Sequence, residues 1–161
     1  MRYVEEIRKA ENKGRQHFVD DYGKFFMLQG TEGQTDRSDI YATAITNTGR
    51  TYIIEIKNYE NEEHPRAYEK FTYKGKDYGY QIDLDKIEYL VTKGEEEGRI
   101  PILYARFNDI TVTWDLKDIP YKERAKQVWT NKTGVDYGRK KELTWQTYLY
   151  KDEAKQVKPT K

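Results

Sequence analysis

The chain has 161 residues, 36% of them apolar and 35% charged, with fifteen tyrosines and a formal net charge of +1. That is the size of one domain with a lean core, in which tyrosine supplies much of the apolar body, and the near-zero total charge gives no argument for a nucleic-acid partner. The absence of cysteine excludes disulfides, thiolate metal centres and cysteine nucleophiles, and no apolar run approaches the ~20 residues of a membrane span.

The first element in chain order is a helix over residues 3 to about 20, with Ile7, Ala10, Glu11, Gly14 and Phe18 at helical spacing. Gly14 weakens it, since glycine costs about 1 kcal/mol inside a helix, and Gly23 closes it. The charged start of this segment, from Arg2 onward, lacks the pattern of a signal peptide, so a cytoplasmic protein with no membrane association is expected. Lys24 to Leu28 reads as a short strand and Gly30 to Asp36 as a polar loop. Asp39 to Thr46 alternates and is rich in Ile, Tyr and Thr, the pattern of a strand. A tight turn at Asn47-Thr48-Gly49 joins it to a second strand, Thr51 to Tyr59. Residues 60 to 80 are charged and aromatic without a period and read as a long loop, a length usually reserved for function or mobility. Asp83 is placed to cap a helix running to about Glu97, with Leu84, Ile87, Leu90 and Val91 on one face and Gly98 at its end. Ile100 to Phe107 and Ile110 to Leu116 read as strands joined at Asn108-Asp109. Pro101 falls where a missing N–H is tolerated. Tyr121 to Trp129 reads as a short basic helix, Glu142 to Tyr150 as a strand, and the last ten residues as a frayed tail. The expected fold is therefore α/β, of order αβββαβ, a central sheet flanked by helices, with a C-terminal β-α-β extension. Residues 1–161 form one domain, with a core over about 3–116 and a basic extension over 117–161.

The chemistry concentrates in Thr51 to Tyr59. Residues two apart on a strand share a face roughly 6–7 Å apart, so Glu55 and Lys57 point the same way, while Tyr52, Ile54 and Ile56 point into a core. An acid and an amine within so apolar a strand are costly unless a cation compensates Glu55 and an anion compensates Lys57. Asp39 opens the strand expected to pair alongside. Two carboxylates from neighbouring strands suit Mg²⁺, with Mn²⁺ as a substitute. Such a metal polarises a phosphodiester and helps generate hydroxide, while Lys57 orients water or neutralises charge developing on phosphorus. An isolated Glu-x-Lys pair is ordinarily a surface salt bridge; it is the upstream aspartate that favours a site, with Asp36 as the competing acid in the preceding loop.

Asp39, sixteen positions before Glu55-Ile56-Lys57, resembles the signature of the PD-(D/E)XK nuclease superfamily, with Ser38 where the name of that signature writes proline. The run Tyr52 to Lys57, then Lys86 to Leu90, then Gly98 to Phe107 is similar within it to archaeal-type Holliday junction resolvases, over residues 10 to 116. The resemblance implies a restriction-endonuclease-like core and a DNA endonuclease acting as a homodimer. It implies Mg²⁺ bound by Asp39, Glu55 and the Ile56 carbonyl, and Lys57 as a catalytic residue. It also implies a glutamate on the first helix, for which Glu11 is the first choice and Glu6 the second. After Lys13-Gly14, where resolvases carry that glutamate, this chain has Gln16, His17 and Phe18. Gln81 is a further candidate beside the site. His17 and His64 form no metal pattern and are expected at the surface.

Residues 121–161 carry a net charge of +6 and the first 120 carry −5. Lys122, Arg124, Lys126, Arg139, Lys140 and Lys141, with Lys132, surround Tyr121, Trp129 and Tyr137, a composition that fits phosphate attraction and base stacking. Arg66, Lys70, Lys74 and Lys76 follow the Glu55 strand and are expected to approach DNA from the loop.

Overall fold

The computed structural model describes residues 13–18, 20–21, 26–30, 40–44, 50–60, 67–73, 76–77, 79–131 and 141–160. The fold is mixed α/β and richer in strands than the sequence suggests. A first helix, α1, is helical at residues 13–18 and 20–21. Strands β1 (Phe26–Gly30), β2 (Ile40–Ala44) and β3 (Thr51–Asn58) follow. The long helix α2 (Leu84–Glu97) precedes β7 (Ile100–Arg106) and β8 (Ile110–Asp115). Between β3 and α2 lie β4 (Thr72–Tyr73), β5 (Lys76–Asp77) and β6 (Tyr80–Asp83); after β8 come β9 (Lys126–Asn131), β10 (Lys141–Leu149) and β11 (Gln156–Pro159).

The main sheet has the order β1-β2-β3-β7-β8-β11. β3 and β7 run parallel, and every other neighbouring pair is antiparallel. The parallel pair needs a crossover, which α2 supplies. β7 is covered on both faces, and its sequence, Ile-Pro-Ile-Leu-Tyr-Ala, is correspondingly almost unbroken in apolar character. On one side Phe18 of α1 packs with Ile54, Ile56, Ile102 and Tyr104. On the other, Ile87 and Leu90 of α2 join Ile53, Leu103, Val112 and Trp114. Gly14 belongs to this packing. A Cβ there would lie 2.8 Å from Asn58 Cβ and 3.2 Å from Ile56 Cγ2, so the glycine lets α1 press onto β3. Gly98 ends α2 in the left-handed region (φ 67°), as expected of a helix C-terminus.

Three expectations are corrected. The basic helix over Tyr121 to Trp129 does not form: residues 121–124 turn, and Lys126–Asn131 is strand β9, paired with β10. The extension is thus built from strands and short turns, not β-α-β. Gln-Val-Trp-Thr suits a pleated surface, and the partner strand decides the outcome. The span 60–80 is not one loop. Its end is β6, which pairs with β10 in a second sheet of order β6-β10-β9. Asp109 accepts from the backbone N–H of Tyr68 at 2.7 Å, steadying a 3-10 turn over Tyr68–Phe71. Tyr68, Phe71 and Tyr80 then pack around Phe107. Finally, the tail is not frayed. β11 pairs with β8, and the Thr160 hydroxyl donates to the Phe107 carbonyl at 2.6 Å while the Thr160 N–H donates to the Asp109 carbonyl at 3.1 Å.

The tail also closes onto α1. Asp21 accepts from the Tyr104 hydroxyl at 2.8 Å and lies 2.7 Å from Lys158 Nζ. Burial raises the Asp21 pKa, but the hydrogen bonds from Lys158 and Tyr104, with the charges of Lys158 and Arg106, outweigh it and hold the carboxyl below its usual value. The unfolded chain then binds the proton more readily, so this contribution is complete above the ordinary pKa of 3.8 and is lost as pH falls through the lower folded value. Asp21→Asn is expected to cost about 1 kcal/mol at pH 7, with the difference shrinking below about pH 4. Urea unfolding of both proteins across pH 2–7 measures it.

Candidate active site

β3 alternates as its sequence predicts. Ile54 and Ile56 enter the core under α1, and Ile53 and Glu55 face the α2 side. Glu55 is only 4% exposed, an unusual position for a carboxylate. Its Oε1 lies 3.5 Å from Lys57 Nζ, and its Oε2 lies 3.2 Å from Lys86 Nζ. Lys57 keeps 37% of its side chain exposed, whereas Lys86, on the first turn of α2, keeps 18%. Lys57 and Lys86 line a cavity of about 340 Å³. Its other walls include Tyr59, Gln81 and Asp83 at the end of β6, and Gln146 of β10. The wall is mainly polar. A second cavity of about 350 Å³, on the α1 side of the sheet, is lined among the described residues by Phe18, Tyr52, Ile54 and Ile102 with Thr113, Lys155 and Gln156.

Asp83 occupies the N-cap position of α2, but its side chain makes no capping bond. It instead accepts from the Gln146 side-chain amide. Gln146 also donates to the Thr144 hydroxyl at 2.9 Å, and Gln81 accepts from the Tyr148 hydroxyl at 3.4 Å. The acid expected to cap the helix therefore ties α2 and β6 to β10 beside the cavity. Gln81 lines the cavity, as the sequence suggested. Lys86, Asp83 and Gln146 also border the site. No local spacing marks them, because they meet Lys57 only through the packing of α2 and the second sheet.

Asp39 and Glu11, like Asp36 and Glu6, lie outside the described residues. The last described pair of the β2–β3 ladder is Ile40 opposite Ile54, and Asp39 is the residue before Ile40 in the chain. Among the described residues no group of three or more His, Asp or Glu side chains is gathered to hold a metal. Among the described residues, the oxygen donors that line the cavity or border it include the carboxylates of Glu55 and Asp83 and the amide oxygens of Gln81 and Gln146. That set suits a hard cation. Two ammonium groups, those of Lys57 and Lys86, stand against Glu55 there. His17 is not part of the site; it is partly buried on α1, and burial and the nearby Arg106 charge lower its pKa.

The basic candidates separate. The Arg124 guanidinium pairs with both carboxylate oxygens of Glu153, donates to the Tyr148 carbonyl at 3.2 Å and covers the Tyr150 ring at 4.6 Å. It fastens the C-terminal turn to β10. Lys126, opposite Gln146 in the ladder, holds its Nζ 5.0 Å from the Tyr148 ring centre and is exposed. Lys122 and Lys141 are exposed. Arg66, Lys74, Arg139 and Lys140, with Lys132, Tyr137 and His64, lie outside the described residues. Lys70 falls in the Tyr68–Phe71 turn and Lys76 in β5, and only their backbones are described.

Comparisons of the chain with protein families, with curated proteins and with solved structures find no match. Among the described residues no helix is long and apolar enough to cross a membrane.

Proposed function

We propose that this protein is a divalent-metal-dependent DNA endonuclease of the PD-(D/E)XK type. The observation that carries the reading is Glu55, a carboxylate 4% exposed on a central strand, with Lys57 beside it at the wall of a polar cavity. Removing a carboxylate from water costs several kcal/mol, and a surface ion pair has no reason to bear that cost. The order of elements supports the same reading. A helix precedes three antiparallel strands, and the crossover helix α2 leads to a fourth strand parallel to β3.

In this reading Mg²⁺, or Mn²⁺ in its place, is held by Asp39, Glu55 and the Ile56 carbonyl, with Glu11 as the candidate from the first helix. The metal supplies Lewis acidity toward a phosphate oxygen and lowers the pKa of a coordinated water. The chain's own residues do the rest. Lys57, amphipathic and half in solvent, places its ammonium where negative charge grows on the phosphorus oxygens. Lys86 holds Glu55 in place from α2. Duplex and branched DNA have two-fold symmetry, so a homodimer is the form that fits such substrates.

One observation favours a rival reading. Glu55 already has two ammonium partners, as a nucleic-acid-binding or protein-interaction module without catalysis would require. Labelled single-stranded, duplex and branched DNA incubated with Mg²⁺ or Mn²⁺ separates the two. Internal cleavage that stops on chelation is expected. Binding without cleavage, unchanged in Glu55→Ala, would establish the module.

A further inference from the structure

The β9–β10 hairpin carries the most exposed large apolar side chains among the described residues. Trp129 is 64% exposed, Trp145 52% and Leu143 43%. In the ladder Trp129 stands opposite Leu143, and Trp145 opposite Gln127. Directly paired residues share a face, so the two indoles and the leucine lie together, with the tryptophans on a diagonal of about 7–8 Å. That is about twice the ~3.4 Å spacing of successive bases in a strand. Toward the base of β10 the same face continues through Thr147 and Leu149, both fully buried. The apolar pattern thus runs on past the core it serves.

The surroundings are basic. Lys141, on the same face as Leu143 and Trp145, is exposed, and the segment from 121 onward carries +6, while Lys126, paired with Gln146, is on the other face over the Tyr148 ring. Flat exposed rings beside lysines are the combination that binds an unpaired polynucleotide, the rings taking bases and the ammonium groups phosphates. The cavity lies on the other face of β10. Gln146, the residue after Trp145, points to the opposite face and reaches Asp83 in the cavity wall.

We propose that the Trp129–Trp145 face binds single-stranded DNA by base stacking. That the DNA so held is also cleaved rests on the nuclease reading, and it makes DNA with an unpaired arm the substrate class. A second copy of the chain fits the face less well. Three side chains fall far short of the ~20–30 residues a side of a stable interface, and two segments of +6 repel.

The test is titration of the full chain into a labelled ~15-nucleotide oligo(dT), read by fluorescence anisotropy for every variant, with tryptophan fluorescence as a second readout for the native chain. Matched duplex, oligo(U) and a labelled flap substrate are parallel arms. Trp129 and Trp145 are exposed and Trp114 is buried, so quenching reports the hairpin. Oligo(dT) is expected to quench and to bind more tightly than duplex or oligo(U). Trp129→Ala and Trp145→Ala are each expected to weaken binding about 5- to 150-fold, with the melting temperature nearly unchanged and partial rescue by Trp→Phe. The proposal is overturned if the double alanine variant binds oligo(dT) as the native chain does, or if the native chain ignores oligo(dT) or prefers duplex or oligo(U). It is equally overturned if the substitutions abolish self-association in sedimentation instead. Loss of oligo(dT) binding with no cleavage of any DNA by the native chain would keep the platform and defeat the nuclease reading. Flap cleavage unchanged in the double variant would do the reverse.

Discussion

Lys57→Ala is expected to lower the rate of metal-dependent DNA cleavage by about 10²–10³-fold while leaving the melting temperature within a degree or two. The rate effect follows from removing one charge placed where negative charge develops in the transition state. The small stability effect follows from Lys57 being 37% exposed, since an ion pair so open to solvent contributes little. Glu55→Gln is expected to reduce cleavage at least as far, because an amide keeps the shape of the side chain but not the charge that attracts a cation. Its folding cost is larger, because Lys86, with 18% of its side chain exposed, loses its counter-charge. Single-turnover cleavage with unfolding curves on the same preparations separates the two effects. If Lys57→Ala cleaved at the native rate, β3 would hold a structural ion pair and nothing more.

The second large effect concerns the fold. Trp114→Ala is expected to destabilise the chain by about 3–5 kcal/mol, moving the urea midpoint sharply down without much change in slope. Trp114 is fully buried, lies face to face with Tyr80 at 5.9 Å between ring centres, and donates its Nε1–H to the Tyr150 carbonyl at 2.8 Å. It therefore joins the main sheet, the start of β6 and the end of β10. Alanine would leave a large void and remove one of the two hydrogen bonds to the Tyr150 carbonyl, which keeps the Glu153 N–H at 3.1 Å. At about 2–4 °C per kcal/mol for a chain of this size, the melting temperature falls by roughly 6–20 °C. A loss under 1 kcal/mol would mean that the second sheet is not anchored through this residue.

What could be read from the sequence was what local pattern encodes. The strands carrying Glu55 and Ile102 and the helix over Leu84–Glu97 have strong periods and clear ends, so their extents nearly coincide with expectation. The shared face of Glu55 and Lys57 followed from alternation alone. The rest depended on partners far away in the chain. Lys126–Asn131 has the basic, aromatic look of a surface helix until β10 is placed beside it. Tyr80–Asp83 is four residues at the end of an aperiodic stretch, and only pairing with β10 makes it a strand. Gln156–Pro159 is a polar edge strand held by β8 and Thr160, which no local signal announces. Gly14 counted against a helix on propensity, yet its missing side chain lets that helix dock at Ile56 and Asn58. Lys86 stands 31 positions from Glu55 and reaches it through the packing of α2.

The most direct measurement is calorimetric titration of Mn²⁺ into the native chain, Glu55→Gln and Asp39→Asn, without DNA. Glu55 and Asp39 sharing one cation predicts saturable binding to the native chain, a rise in its melting temperature with metal, and loss of both in either variant. No saturable binding to the native chain, or native-like binding to both variants, would contradict the account.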